Sequence, residues 1–142
     1  PLTDSLVDAL RARGVDVELV AVGDQWPAVG RRVGEMVAAG RADRGVVCCW
    51  TGTGVSIAAN KVPGVRAALC TDAVTAAGAR RWNDANVLAI GLRLTSEEVG
   101  REMLQAFLDT AAEPAEAANV AAVEGDEGLR PGPPGGLEPA VR

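Results

Sequence analysis

Residues 45–50 read Gly-Val-Val-Cys-Cys-Trp, an apolar run that stops abruptly on Thr51-Gly52-Thr53-Gly54. A strand with no polar alternation has to be covered on both faces. Two further runs of this kind, Val65–Cys70 and Asn86–Gly91, follow, each separated from the last by a helix-like segment. Strands alternating with helices predict an α/β fold, a mostly parallel sheet with helices on both faces. In such sheets ligands bind beyond the carboxyl ends of the strands. The turns after Cys49, Cys70 and Gly91 are therefore the candidate site.

The helical segments carry their own punctuation. Leu6, Val7 and Leu10 share a face between a Thr3/Asp4 cap and a Gly14 stop. Pro27 suits the first turn of a second helix with Val29, Val33, Met36 and Val37 on its apolar face, closed by Gly40. A short stretch from Ser56 to Lys61 is stopped by Pro63-Gly64. Asp72 caps a helix from Ala73 to about Trp82. Thr95 and Glu98 form a capping box ahead of Val99, Met103, Leu104, Phe107 and Leu108, and Ala115–Val123 adds one more short helix. Val15–Leu19 alternates apolar and charged residues, the pattern of a strand with one wet face near a sheet edge. From Glu124 onward about half the residues are Gly or Pro. The expected organisation is one α/β domain over residues 1–123 and a disordered tail over 124–142.

Composition removes whole classes of chemistry. The 142 residues contain no histidine, which excludes Ser-His-Asp triads, Cys-His dyads, His-bound metals and any imidazole acid or base from them. Three cysteines, two of them adjacent, do not make a disulfide framework and point to a reduced, cytoplasmic setting. A net charge of −5 argues against nucleic-acid or anionic-membrane partners. No apolar run approaches the ~20 residues of a membrane span.

What remains is the loop Cys49-Trp50-Thr51-Gly52-Thr53-Gly54-Val55-Ser56. It places a thiol at the end of a buried strand, then a glycine turn, then a helix start. Backbone N–H groups there lack intrahelical partners and form a nest for an anion or a developing oxyanion. The same positive end favours the charged form of a nearby thiol. A thiolate beside oxyanion donors can move a proton on a carbon acid. The plainer reading makes Cys48 and Cys49 small buried hydrophobes, with glycines that merely permit the turn.

A dinucleotide site competes for the same loop, because Gly52-x-Gly54 follows a strand and Asp72 stands twenty residues on, where a ribose-binding acid would sit. Against it, the third glycine position is Ile57, and the helix is barely two turns long. Two other segments invite attention. Asn60-Lys61-Val62-Pro63-Gly64-Val65-Arg66 holds the sole lysine, and Arg80-Arg81-Trp82-Asn83-Asp84-Ala85-Asn86 is a helix end rich in Asn and Asp. Taken singly, both read as ordinary turn and capping chemistry.

Taken together, residues 45–94 resemble the family of ribose-5-phosphate isomerase B and the galactose-6-phosphate isomerase subunits. Cys49, Thr51, Gly52, Gly54, Ser56, Ile57, Ala58, Ala59, Asn60 and Lys61 match its first motif block. Gly64, Arg66 and Ala67 match a second; Asn83, Asp84, Asn86 and Leu88 match a third. The resemblance extends more weakly from Leu2 to about Val123.

It implies a three-layer α/β/α sandwich around a five-stranded, mostly parallel Rossmann-like sheet, in a homodimer or tetramer with sites shared between subunits. It also implies aldose–ketose isomerisation of a sugar or sugar phosphate through a cis-enediolate, with no metal and no cofactor. Cys49 would move the proton between C1 and C2, and Thr51 the proton between their oxygens. The backbone N–H groups of Gly52, Thr53, Gly54, Val55 and Ser56 would hold the enediolate oxygen, and Asn83 would bind sugar hydroxyls. The family's sheet begins with a central strand that this sequence lacks, so the expectation is that residues before Pro1 supply it.

The departures bear on substrate. Trp50 stands where the family has Gly, and Trp82 where many members have the His that opens the sugar ring. The family's C-terminal phosphate arginines align with Ala118-Asn119-Val120-Ala121-Ala122-Val123, which offers no cation. Lys61, Arg66 and Arg93 are the cations left for a differently placed anion, and ribose 5-phosphate is disfavoured as the efficient substrate. The contrasting expectation is a non-catalytic or divergent small-molecule-binding subunit of the same fold that has lost its phosphate-binding and ring-opening groups.

Overall fold

The structure is a computed structural model that describes residues 1–20 and 23–125. Three parallel strands, β1 (Gly45–Cys49), β2 (Ala67–Cys70) and β3 (Val87–Gly91), form a sheet in the order β1-β3-β2. The register sets Gly45 and Ala67 beside Val87, and Cys49 beside Gly91. All three strands therefore start at one edge of the sheet and finish at the other.

β3 is the middle strand, and its side chains explain the layers. Val87 and Ala89 point into a core with Val47, Val55, Ala59 and Val65, whereas Leu88 and Ile90 point into a second core with Leu6, Met103, Leu104 and Phe107. Each fully buried aliphatic side chain is worth roughly 1.5–3 kcal/mol, so the continuous apolar reading of this strand follows from two covered faces. Helices α2 (Trp26–Ala38) and α3 (Thr53–Asn60) cover one face. Helices α1 (Leu2–Ala12), α4 (Ala73–Asn83) and α5 (Glu97–Asp109) cover the other. A 3-10 turn (Pro114–Glu116) and α6 (Ala117–Val123) follow. The layering is the expected α/β/α sandwich. Gly30 lets α2 approach α3 closely, since a Cβ there would lie 2.6 Å from the Val55 carbonyl oxygen.

Several expectations need correction. The sheet has three strands among the described residues rather than five. Val15–Leu19 forms no strand: β1 pairs only with β3, so its outer edge carries no partner among the described residues. Alternation without a neighbouring ladder does not make a strand. Helix α1 starts at Leu2 with Pro1 at its N-cap, not on a Thr3/Asp4 cap. The cap of α5 is Ser96, whose side chain accepts from the Val99 N–H at 3.2 Å, in place of the Thr95/Glu98 box. The Gly- and Pro-rich tail lies outside the described residues from position 126. No helix among the described residues is long and apolar enough to cross a membrane.

Candidate active site

Cys49 ends β1 and is half-buried. The chain turns at once, because Gly52 takes up a left-handed conformation (φ 77°) and caps α3. That turn is wedged against the neighbouring strands: a Cβ on Gly52 would lie 2.5 Å from Leu69 Cδ1 and 2.7 Å from the Gly91 nitrogen. Two backbone bonds continue the β1–β3 pairing past the last ladder residue, Leu92 N–H to the Cys49 carbonyl and Arg93 N–H to the Trp50 carbonyl, both 2.9 Å. The loop is thus held by close packing and by main-chain bonds, which is what a site with fixed donors requires.

Inside the turn, the Gly52 N–H donates to Cys49 Sγ at 3.2 Å. The hydroxyls of Thr51 and Thr53 are 2.7 Å apart. Ser56 is buried, and its N–H is already committed to the Gly52 carbonyl at 3.2 Å. Val55 contributes its side chain wholly to the core. The amides of Thr53, Gly54 and Val55 open α3 and have no intrahelical acceptor. These three, rather than all five from 52 to 56, form the nest. Sequence reasoning missed Trp26: its indole carbons lie 3.0–3.3 Å from where a Gly54 Cβ would stand. The aromatic residue just before Pro27 at a helix start was the available signal. With Trp50, two-thirds exposed, it places two indoles at the mouth of the loop.

The other thiols behave as core residues. Burial pushes Cys48 up to about 12, with the neighbouring Cys49 adding to the effect. Burial likewise raises Cys70 to about 11, helped by Asp72. Asp72 itself caps α4, accepting from the Thr75 N–H and hydroxyl at 2.7 Å each. Those bonds hold its carboxyl below the usual range and occupy the group that the dinucleotide reading assigned to a ribose.

Asn83 is not at this edge. Helix α4 starts beyond the end of β2 and runs back for 11 residues, ~16 Å, to Asn83 beside the start of β3. Within one chain, Asn83 and Cys49 lie at opposite edges of the sheet. The remaining motif residues at that far edge splice the fold together. Asn60 holds Ala67 through both backbone groups, at 2.9 and 2.7 Å. Asn86 accepts from the Arg66 N–H at 2.7 Å and donates to the Gly64 carbonyl at 2.9 Å. Arg66, one of the cations offered for an anion, is instead bound to Asp84 and Glu124. Lys61 also lies at the far edge, as the C-cap of α3. Arg93 is the one of the three at the Cys49 edge.

Comparison with known proteins places this geometry among relatives. Residues 1–123 match a family described as Ribose/Galactose Isomerase. The chain is 42% identical over 111 residues to the DNA damage-repair/toleration protein DRT102 of Arabidopsis thaliana, covering 77% of this chain and 36% of that one. It is 42% identical over 93 residues to the galactose-6-phosphate isomerase subunit LacB of Clostridium acetobutylicum, covering 66% and 54%. The chain thus spans about a third and about half of these two relatives. Among solved structures, the ribose-5-phosphate isomerase B of Clostridium thermocellum superposes with a TM-score of 0.84 at 37% identity, over 87% of this chain and 86% of that one.

Proposed function

The chain belongs to the ribose/galactose isomerase family, and on that premise we propose that it is a sugar-phosphate aldose–ketose isomerase with Cys49 as its proton-moving group. The Cys49 thiolate takes the proton from C2 of an aldose, and the electron pair moves through C1 onto O1, giving a cis-enediolate. The Thr51 hydroxyl carries a proton between O2 and O1. The thiol then returns its proton to C1, leaving the ketose and the regenerated thiolate. No co-reactant is consumed.

The observation that carries this reading is the Gly52 N–H fixed on Cys49 Sγ at 3.2 Å, next to the uncommitted amides of Thr53, Gly54 and Val55. Preorganised donors of this kind stabilise charge that develops only in the transition state, each worth ~3–4 kcal/mol. Thr53 orients Thr51 through the 2.7 Å contact, and Ser56 buttresses the first turn of α3. Arg93 is the cation placed to meet a phosphate at this edge.

The placement of Asn83 fits a site shared between copies. In a homodimer or tetramer that sets the far edge of one sheet against the near edge of another, the partner subunit's Asn83 would reach the substrate held by Cys49. Residues 1–123 act as the isomerase domain, with the tail from 124 outside it.

Isomerisation of a panel of aldose phosphates tests the reading. Ketose formation by the full chain is expected to fall at least ~10³-fold in Cys49→Ala and less than tenfold in Cys48→Ala. Equal losses in both variants, or an active Cys49→Ala protein, would remove Cys49 from the chemistry.

A further inference from the structure

The first turn of α3 goes without the usual fastening. Its N-cap is Gly52, which has no side chain to accept from the amides that follow, whereas Asp72 and Ser96 cap α4 and α5 through theirs. The helix is also only eight residues long, too short to keep its shape without tertiary support. An uncapped start leaves the Thr53, Gly54 and Val55 amides free for a substrate oxygen. It also leaves them without a partner to fix their direction, and a donor stabilises developing charge only while it stays aimed at it.

Helix α2 supplies the support. Trp26, Gly30 and Gly34 stand four residues apart on one face of α2, and that face runs along α3. A Cβ at Gly34 would lie 3.2 Å from the Ala59 carbonyl oxygen, and one at Gly30 would lie 2.7 Å from Ala58 Cβ and 2.6 Å from the Val55 carbonyl oxygen. At the end of the stripe that reaches the Cys49 loop the sizes are reversed, with the glycine, Gly54, on α3 and the indole of Trp26 on α2. Indole carbons Cε3, Cδ2 and Cε2 are 3.0, 3.1 and 3.3 Å from where a Gly54 Cβ would stand. Three contiguous ring atoms at so nearly one distance put the Gly54 backbone over the face of the six-membered ring. Trp26 is 48% exposed and belongs to neither core; its ring packs at the mouth of the loop instead.

Resting on the isomerase reading above, we propose that Trp26 is a positioning residue for the oxyanion donors. Its indole braces the Gly54 peptide, and so keeps the Thr53, Gly54 and Val55 amides directed at the enediolate oxygen in place of a side-chain cap. The role needs no contact with the reacting atoms. Without the indole the donors are still present but loosely aimed, a loss felt where charge develops and hardly at all in the resting substrate.

Two ligands separate those states. For the aldose phosphate that the full chain isomerises fastest, the phosphorylated aldonohydroxamate one carbon shorter carries the planar, charged oxygens of the enediolate, and the matching alditol phosphate carries neither. In Trp26→Ala, kcat and hydroxamate affinity by calorimetry are expected to fall together, by ~10–10²-fold, with KM and alditol phosphate affinity within about threefold of wild type. Trp26→Phe keeps a flat ring over Gly54 and is expected to recover most of both losses. Met36→Ala removes a buried side chain farther along α2; it is expected to lower the unfolding midpoint and leave kcat and hydroxamate affinity within about threefold. Should Trp26→Ala not fold, Trp26→Leu gives the same comparison. Unchanged kcat and hydroxamate binding without the indole overturn the proposal. Equal losses of both ligands make Trp26 a substrate contact and overturn it as well, as does a Met36→Ala protein that loses hydroxamate affinity to the same extent. No ketose from any aldose phosphate with the wild-type chain overturns the isomerase reading, and the role of Trp26 with it.

Discussion

A methyl group at position 52 would meet the Leu69 side chain and the Gly91 backbone, on a main chain whose φ of 77° already disfavours any L side chain. Gly52→Ala is expected to cost about 2–4 kcal/mol in urea unfolding and to lower isomerase activity further, because its N–H anchors Cys49 Sγ. The three thiols should separate chemically. Cys48 and Cys70 are held protonated by burial, up to about 12 and about 11. Alkylation of the native protein at pH 8, mapped by peptide mass spectrometry, is therefore expected at Cys49 first. Much of this scale was legible in the sequence, since a thiol, a hydroxyl and a glycine turn at a strand tip are local features. Two points were not. The sequence could not show that the Ser56 N–H is spent within α3, because that depends on where the helix starts. Nor could it show that Trp26 lies on Gly54, because that contact joins two distant helices.

Among the elements, β3 and α4 were read nearly to the residue, since both carry signals in themselves: two-faced apolarity in one and the Asp72 cap in the other. Replacing that cap by Ala is expected to cost about 1 kcal/mol, measured by thermal or urea unfolding. The failure at Val15–Leu19 has the opposite cause. A strand is a property of a pair, and an alternating segment with no partner ladder forms none. The Asn-rich motif segments were ambiguous for a similar reason. Asn60 and Asn86 clamp backbone groups 7 and 22 residues away in sequence, and such partners cannot be seen from either end alone. Asn86→Ala removes the partners of the part-buried Arg66 N–H and Gly64 carbonyl. It is expected to lose ~2–4 kcal/mol of stability while leaving KM close to wild type, whereas a residue that binds sugar would raise KM.

For the whole molecule, two consequences follow from how the sheet is buried and oriented. Because Cys48 and Cys70 titrate near 9.0 when unfolded but only toward about 12 and about 11 when folded, the unfolded chain loses protons first as pH rises. Stability is then full below about pH 9 and falls above it, by ~1.4 kcal/mol per pH unit for each thiol until its folded value is reached. Denaturant midpoints between pH 8 and 11 are expected to show that decline, and Cys48→Ala to flatten it. The second consequence concerns assembly. With Cys49 and Asn83 at opposite edges, an inactive Cys49→Ala protein mixed and refolded with an inactive Asn83→Ala protein is expected to regain about a quarter of wild-type activity, through hybrid dimers with one intact site. No recovery on mixing would mean that each chain works alone.

That one thiol carries the same proton from C2 to C1 is tested most directly by the fate of a deuterium placed at C2 of the aldose and followed in H2O. The account predicts partial label transfer to C1 of the ketose, partial loss to solvent, and disappearance of both in Cys49→Ala. Complete transfer without any loss would instead indicate a hydride shift, and undiminished exchange in Cys49→Ala would assign the proton to another group.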